Sequence, residues 1–577
     1  MPASLTKKKT ETPAQMKGGM QPKPSAGPVL CQTTITGLDE ILGGGFPRGS
    51  VVLLSGASGT GKTSLALHWL FGGARSGENG IYASFTEPLF KVLKNLETLE
   101  YYDRKVIEEE KIRILDIRRK EFIEDMDSGK VLSYIEDIVR KSGAKRLVID
   151  SVTAIAYSLE EKTKIRSFIF ELGTMLASLG CTTILTSEVH GERYSMYGVE
   201  EFISDGVILL KSSHKGFGPA ARTIQVVKMR GIDFDQAPTY FRISKHGVFV
   251  FPRIKITLDY PALSEKVSTG VRGFDEMTNG GVYRGSILLV AGSTGSGKSV
   301  TGMQFISDGL DKGEPCLYIG LEESRDQIKR NASKFGWDFS GHEESGLLKF
   351  LCEYPGTKYP EEHLMAVMEI LDRNKIKRCV VDSLSAISNA YGVPEFRMFL
   401  LRLYGILKSR EVTTIFTTAT GDFVQTEKLT DAHISTITDA IIFLKYVEIN
   451  SEMRLMASVI KTRGNDHSRS LREYRITSTG ITVGESFKGY ESVLSGNAKK
   501  VNPTLVEKLR AEFVRALGPI GELELSELMG EEQSADEERV AEYVESLITQ
   551  GILDGQRGPE LKRRIRELYY SDKTSAR

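Results

Sequence analysis

Two phosphate-binding loops, one in each half of the chain, limit the folds open to it. Gly56-Ala57-Ser58-Gly59-Thr60-Gly61-Lys62-Thr63 and Gly292-Ser293-Thr294-Gly295-Ser296-Gly297-Lys298-Ser299 both fit GxxxxGK[ST]. Each follows an apolar run, Val51-Val52-Leu53-Leu54 in one case and Ile287-Leu288-Leu289-Val290 in the other, and each precedes a helix-like run. Strand, glycine-rich loop and helix are the context that the motif requires. The glycines let backbone N–H groups turn toward phosphate oxygens, and the helix adds its positive N-terminal end. Lys62 and Lys298 are expected to reach the β- and γ-phosphates of ATP, and Thr63 and Ser299 to ligate Mg²⁺. One glycine-rich loop could be accidental; two in matched context argue against that.

The matching extends well beyond the loops. Thr36-Gly37-Leu38-Asp39-Glu40 before the first loop is matched by Thr269-Gly270-Val271-Arg272-Gly273-Phe274-Asp275-Glu276 before the second. Arg146-Leu147-Val148-Ile149-Asp150 and Cys379-Val380-Val381-Asp382 are apolar strands ending in Asp, the pattern that completes a Mg²⁺ shell. Lys298 lies 236 residues after Lys62, Asp382 232 after Asp150, and Asp439 234 after Asp205. A nearly constant offset means a tandem duplication. Strands alternate with helices, so each copy is expected to be an α/β domain whose mostly parallel central sheet is covered on both faces. Ligands then bind beyond the carboxyl ends of the strands, where the motifs fall.

The expected organisation is a disordered basic tail over residues 1–30, a first ATPase domain over 31–255, a second domain over 256–495 and a helical module over 500–577. Lys7-Lys8-Lys9 with several Pro and Gly gives the tail. Leu505 to Leu517 reads as a helix broken by Gly518-Pro519, with further helices expected at 521–530, 535–550 and 559–570. The 577 residues carry 76 Lys+Arg against 76 Asp+Glu, so no global basic bias favours nucleic acid as the main partner. Five scattered cysteines without a CxxC fit reduced thiols. No apolar run is long enough for a membrane helix, and the N-terminus lacks a signal-peptide core. A cytoplasmic protein is expected.

The two copies differ where chemistry is expected. Glu322-Glu323 in the second corresponds to Thr86-Glu87 in the first. A carboxylate at this strand end could orient or deprotonate a nucleophile. Glu201 and Phe202 become Ser435 and Thr436 at the common offset, so only the second copy offers adjacent hydroxyls there. Hydroxyls can accept a phosphoryl group; they also commonly hydrogen-bond only to nearby backbone. Lys228 and Arg230 recur as Lys461 and Arg463. Two cations one residue apart on an extended segment could act across a subunit interface in the manner of an arginine finger.

These residues together resemble the KaiC family, double-domain RecA-like ATPases and autokinases of the bacterial clock system. The resemblance covers about residues 30–495. It rests on SGASGTGKTS from Ser55, LVIDSVTAI from Leu147, YGVEEFISD from Tyr197, VKMRGIDF from Val227, the Glu322-Glu323 pair, TDAHISTITDAIIFLKYVEI from Thr430 and KTRG from Lys461. The resemblance implies tandem RecA-like folds stacked as two homo-hexameric rings, with ATP and Mg²⁺ between neighbouring subunits. It implies slow ATP hydrolysis in the first ring and reversible transfer of a phosphoryl group to Ser435 and Thr436 in the second. Glu322, beside Glu323, would be the general base, and the Lys228–Arg230 and Lys461–Arg463 pairs would act on the neighbour's nucleotide. By the same resemblance, Thr430 would hold the position that regulates dephosphorylation in the family.

Two departures stand out. Thr86 replaces the first Glu of the family's pair, leaving Glu87 for hydrolysis in the first domain. The C-terminal module is not the short family peptide that recruits KaiA, which argues against KaiA dependence; a KaiB-like partner fits the first ring, and the module could join two hexamers into a dodecamer. Two other readings share the fold: a nucleotide-gated scaffold, and a RecA- or DnaB-like DNA motor, which would need a basic groove.

Overall fold

The structure, a computed structural model, describes residues 28–117, 128–154, 161–189, 194–198, 200–213, 221–255, 259–419, 434–449, 451–488, 490–491, 493, 499–500, 505–529 and 536–575. Most of the expected basic tail, and Thr430 with His433 ahead of the hydroxyl pair, lie outside the described residues. The chain forms two compact units: the first runs to Lys255 and takes in Thr357–His363, and the rest belongs to the second.

In the first unit the strands are β1 (Val51–Gly56), β2 (Gly80–Ser84), β3 (Ile112–Asp116), β4 (Arg146–Asp150), β5 (Thr182–Glu188), β6 (Gly206–Ser213), β7 (Ala221–Met229), β8 (Thr239–Ser244) and β9 (Gly247–Phe251). They form one nine-stranded sheet in the order β9-β8-β7-β6-β1-β5-β4-β2-β3. From β3 to β6 across the sheet, neighbours pair in parallel; β7, β8 and β9 extend it antiparallel. Every residue of β1 is buried, as a strand covered on both faces must be. Helices Lys62–Arg75 and Ser128–Ser142 are among those that supply the cover.

The second unit repeats this order. Its strands are β10 (Ile287–Gly292), β11 (Cys316–Gly320), β12 (Leu348–Cys352), β13 (Arg378–Asp382), β14 (Thr413–Ala419), β15 (Ala440–Ile449), β16 (Glu452–Thr462), β17 (Arg472–Thr477) and β18 (Gly480–Ser486). The order is β18-β17-β16-β15-β10-β14-β13-β11-β12, strand for strand that of the first sheet. The chain is therefore a tandem pair of RecA-like α/β domains. The antiparallel extension was not visible as a change of direction in the sequence, because strand periodicity is the same either way.

Helices Leu505–Leu517, Ile520–Met529, Glu537–Thr549 and Arg557–Ser575 form the C-terminal module. They bury their own cluster around Leu509, Phe513, Val540, Val544, Leu547 and Ile565. Gly518, at φ 67°, ends the first of them. Among the described residues no helix is long and apolar enough to cross a membrane, and all five cysteines are free thiols.

A buried arginine ties the core of each unit together, and the sequence reading had missed both. Arg146, 2% exposed, donates to Glu78 at 2.7 Å and to the carbonyls of Trp69 and Gln32. Arg378, 1% exposed, pairs with Glu314 and with Asp308 at 2.8 Å, and donates to the Phe305 carbonyl. A Cβ at Gly309 would lie 2.6 Å from Arg378 Cδ, so the glycine gives the guanidinium its room. Burial raises the Glu314 carboxyl, but hydrogen bonds and charge from Arg378 and Arg284 outweigh it and hold the group below its usual range. Removing one partner of such a buried pair strands the other's charge. We predict that Arg378→Met destabilises the second unit by about 3–5 kcal/mol, read from chemical denaturation of the full chain; a change near zero would contradict the buried-pair role.

Candidate functional site

Each P-loop turns at the carboxyl edge of its sheet. Gly61 and Gly297 cap the following helices at φ 105° and 87°. Such values favour glycine, and a Cβ at either position would also strike a neighbour, Ile243 in the first copy and Ile476 in the second. Thr60 and Ser296 lock the loops through hydroxyl bonds of 2.8 Å to the Ala57 and Ser293 carbonyls.

In the first unit, Lys62 Nζ donates to the Gly56 and Ala57 carbonyls at 2.8 and 3.0 Å. Burial pulls its ammonium below the ordinary lysine range, against the charges of Glu188 and Asp150. Thr63 Oγ1 donates to Asp150 Oδ2 at 2.7 Å, and the same carboxylate receives Tyr82 OH at 2.7 Å and Thr186 Oγ1 at 2.6 Å. The two oxygen donors expected at the metal are thus in contact. The cleft, about 510 Å³, is lined by Ser58, Gly59, Gly61, Lys62, Thr63, Thr86, Glu87, Asp150, Ser151, Glu188 and Arg222 among others. Glu87 sits there with its carboxylate paired to Lys91 at 3.0 Å. Glu188 and Arg222 were not among the sequence candidates.

The second cleft, about 530 Å³, brings Thr294, Gly295, Gly297, Lys298, Ser299, Glu322, Glu323 and Asp382 together. Lys298 Nζ donates to the Gly292 and Ser293 carbonyls at 3.0 and 2.8 Å. Asp382 receives Tyr318 OH at 2.8 Å and the Thr417 hydroxyl. The two glutamates diverge. Glu322 Oε1 takes a hydrogen bond from Ser383 Oγ at 3.0 Å, while Glu323 Oε2 takes one from Asn331 at 3.1 Å.

The hydroxyl pair and the cations lie elsewhere. Ser435 and Thr436 are in the short helix Ile434–Ile437; Thr436 is exposed, and the Ser435 side chain lies outside the described residues. Arg463 donates to the Thr436 carbonyl, and Lys461 Nζ donates to the Thr438 carbonyl at 2.9 Å. In the first copy Lys228 Nζ donates to the Glu201 and Ser204 carbonyls at 3.0 and 2.7 Å, with Arg230 3.6 Å from Asp205. Burial and the adjacent arginine lower both lysines. Among the described residues, none of Lys228, Arg230, Thr436, Lys461 or Arg463 lines its own unit's cleft.

The doubled sequence has known relatives. The family model described as "ATPase: KaiC" matches residues 31–255 and again 267–488. The chain belongs to the KaiC family. Among KaiC relatives, the circadian clock oscillator protein KaiC of Parathermosynechococcus lividus is 37% identical over 478 residues, covering 82% of this chain and 88% of the relative. That of Rippkaea orientalis is 36% identical over 508 residues, covering 87% and 95%. That of Nostoc sp. is 37% identical over 479 residues, covering 82% and 92%. Both KaiC domains of this chain therefore have the P-loop equipment of a nucleotide-binding ATPase. Titration of the full chain with a fluorescent ATP analogue should give two nucleotides per chain. Lys62→Ala or Lys298→Ala should each remove one; stoichiometry unchanged by either variant would contradict the assignment of the two clefts.

Proposed function

We propose that the chain is an ATP- and Mg²⁺-dependent serine/threonine autokinase and autophosphatase that also hydrolyses ATP, and that works as a phosphorylation-state timer or signalling hub. The observation that carries this is the difference between the copies. Only the second unit has Glu322 in the cleft with Lys298, and only the second has hydroxyls at positions 435 and 436. Thr436 is exposed and outside its own cleft, which supports transfer to it from a neighbouring subunit's nucleotide in a ring, a homo-hexamer by family likeness.

In this scheme one subunit supplies the P-loop and Glu322, and its neighbour supplies Ser435 or Thr436 with Lys461 and Arg463. The acceptor oxygen attacks the γ-phosphorus in line, its proton passes to Glu322, and the bond to the β,γ-bridging oxygen breaks to release ADP. Lys461 and Arg463 would carry positive charge to the transferring group. Glu323, tied to Asn331, stands beside the base. The hydroxyl and carboxylate oxygens of Ser299 and Asp382, like those of Thr63 and Asp150, suit a hard cation. Bound Mg²⁺ would neutralise charge on the phosphates. In the first unit Lys62, Thr63, Asp150 and Glu87 would serve ATP hydrolysis, with Lys228 and Arg230 reaching from the neighbour.

The relatives are named as circadian clock oscillator proteins, and that likeness supports a KaiB-like partner for the first ring. The separately packed C-terminal module supports regulation of another kind than KaiA recruitment, or the joining of two hexamers. The test is site-resolved phosphopeptide mass spectrometry after incubation with Mg²⁺–ATP, comparing wild type with Glu322→Gln. Phosphate on Ser435 and Thr436, lost in the variant, is expected. An assembled, nucleotide-bound wild type without phosphate would overturn the autokinase and favour a nucleotide-gated scaffold.

A further inference from the structure

We infer that Glu188 is the general base that activates water for ATP hydrolysis in the first unit. The inference rests on the reading that this unit hydrolyses ATP, and it reassigns the base from Glu87.

The two sheets fix the comparison. Gly56 of β1 stands opposite Glu188 of β5, and Gly292 of β10 opposite Ala419 of β14. The local bonds agree: Glu188 N donates to Thr153 Oγ1 at 2.9 Å, and Ala419 N to Ser385 Oγ at 2.8 Å. Glu188 and Ala419 are therefore the same position, a carboxylate in one cleft and a methyl in the other.

The reverse exchange occurs two strands away. Glu322 of the second cleft becomes Thr86 in the first. Its partner Ser383, which donates to Glu322, becomes Ser151, whose Oγ accepts the Ala154 N–H instead. Each P-loop lysine still feels two carboxylates: Asp382 and Glu322 at Lys298, Glu188 and Asp150 at Lys62. The first cleft keeps Glu87 where the second has Glu323, and takes its other carboxylate beyond the metal-shell Asp from β5, between the P-loop strand and the Asp150 strand. Glu87 is occupied by Lys91. Glu188 has no hydrogen-bond or salt-bridge partner for its carboxylate among the described residues, so it can meet a water.

Glu188 takes a proton from that water as the water oxygen bonds to the γ-phosphorus. The bond from phosphorus to the β,γ-bridging oxygen breaks, leaving ADP and phosphate, and the proton leaves to solvent.

The test uses full-length Glu322→Gln as parent, so that ADP release reports the first cleft. Adding Glu188→Gln should lower turnover about 100-fold, about tenfold or more beyond the effect of adding Glu87→Gln. Affinity of the first cleft for a fluorescent ATP analogue should hold within about threefold in both, the split expected of a residue acting only in the transition state. If Glu188→Gln loses nucleotide binding, Glu188→Asp decides, with reduced turnover at held affinity expected. Unchanged turnover in Glu188→Asp, or unchanged turnover in Glu188→Gln with a large loss in Glu87→Gln, overturns the assignment. A parent that binds nucleotide in the first cleft but releases no ADP overturns first-unit hydrolysis itself, and the base with it.

Discussion

Parallel pairing at the centre of each sheet brings the strand ends that carry chemistry to one edge. In parallel strands every carboxyl end faces the same way, so the P-loop after β1, Asp150 at the end of β4 and the residues after β2 open into one cleft. A hydrogen bond of 2.6 Å from Thr186 on the intervening β5 holds Asp150 in place, and Thr63 completes the contact from the P-loop helix. The second unit builds the same edge from β10, β11, β13 and β14. The buried arginines beneath, Arg146 and Arg378, join the P-loop helix to the Asp strand in each copy, since both donate to carbonyls of that helix while sitting at the start of the strand.

On this shared frame the clefts differ at particular residues. The Glu322 carboxylate stands just past β11 in one cleft, and the Glu188 carboxylate at the end of β5 in the other. Position 202 is an exposed Phe where position 436 is an exposed Thr. Lys228 holds the Glu201 and Ser204 carbonyls at the short helix Glu200–Ile203 before β6, with Arg230 beside Asp205, and Lys461 and Arg463 hold the Thr438 and Thr436 carbonyls at the short helix before β15. Adding negative charge at that helix would alter the surroundings of two fixed cations, which gives a phosphorylation state a direct structural consequence.

Much of this was legible in the chain. The P-loops, the Asp strands and the duplication follow from local patterns with fixed spacing. Arg146 and Arg378 were not, because an arginine beside a strand reads as surface until tertiary packing buries it with Glu78 or Glu314. Glu188 was missed for a different reason. It follows a run of apolar and hydroxyl residues with no motif of its own, and only alignment of Thr182 with Thr413 reveals that Ala419 takes its place. The antiparallel strands β7–β9 were equally hidden, since strand direction is set by the turn between strands and not by alternation within them.

Phosphoryl transfer between second units of neighbouring subunits is tested most directly by a mixing experiment. Glu322→Gln chains keep their acceptors but lack the base; chains carrying Ser435→Ala and Thr436→Ala keep the base but lack acceptors. Neither should be phosphorylated alone. After co-assembly with Mg²⁺–ATP, phosphate should appear on Ser435 and Thr436 of the Glu322→Gln chains. Mixed assemblies that stay unphosphorylated, while wild type is phosphorylated under the same conditions, would contradict transfer between neighbours.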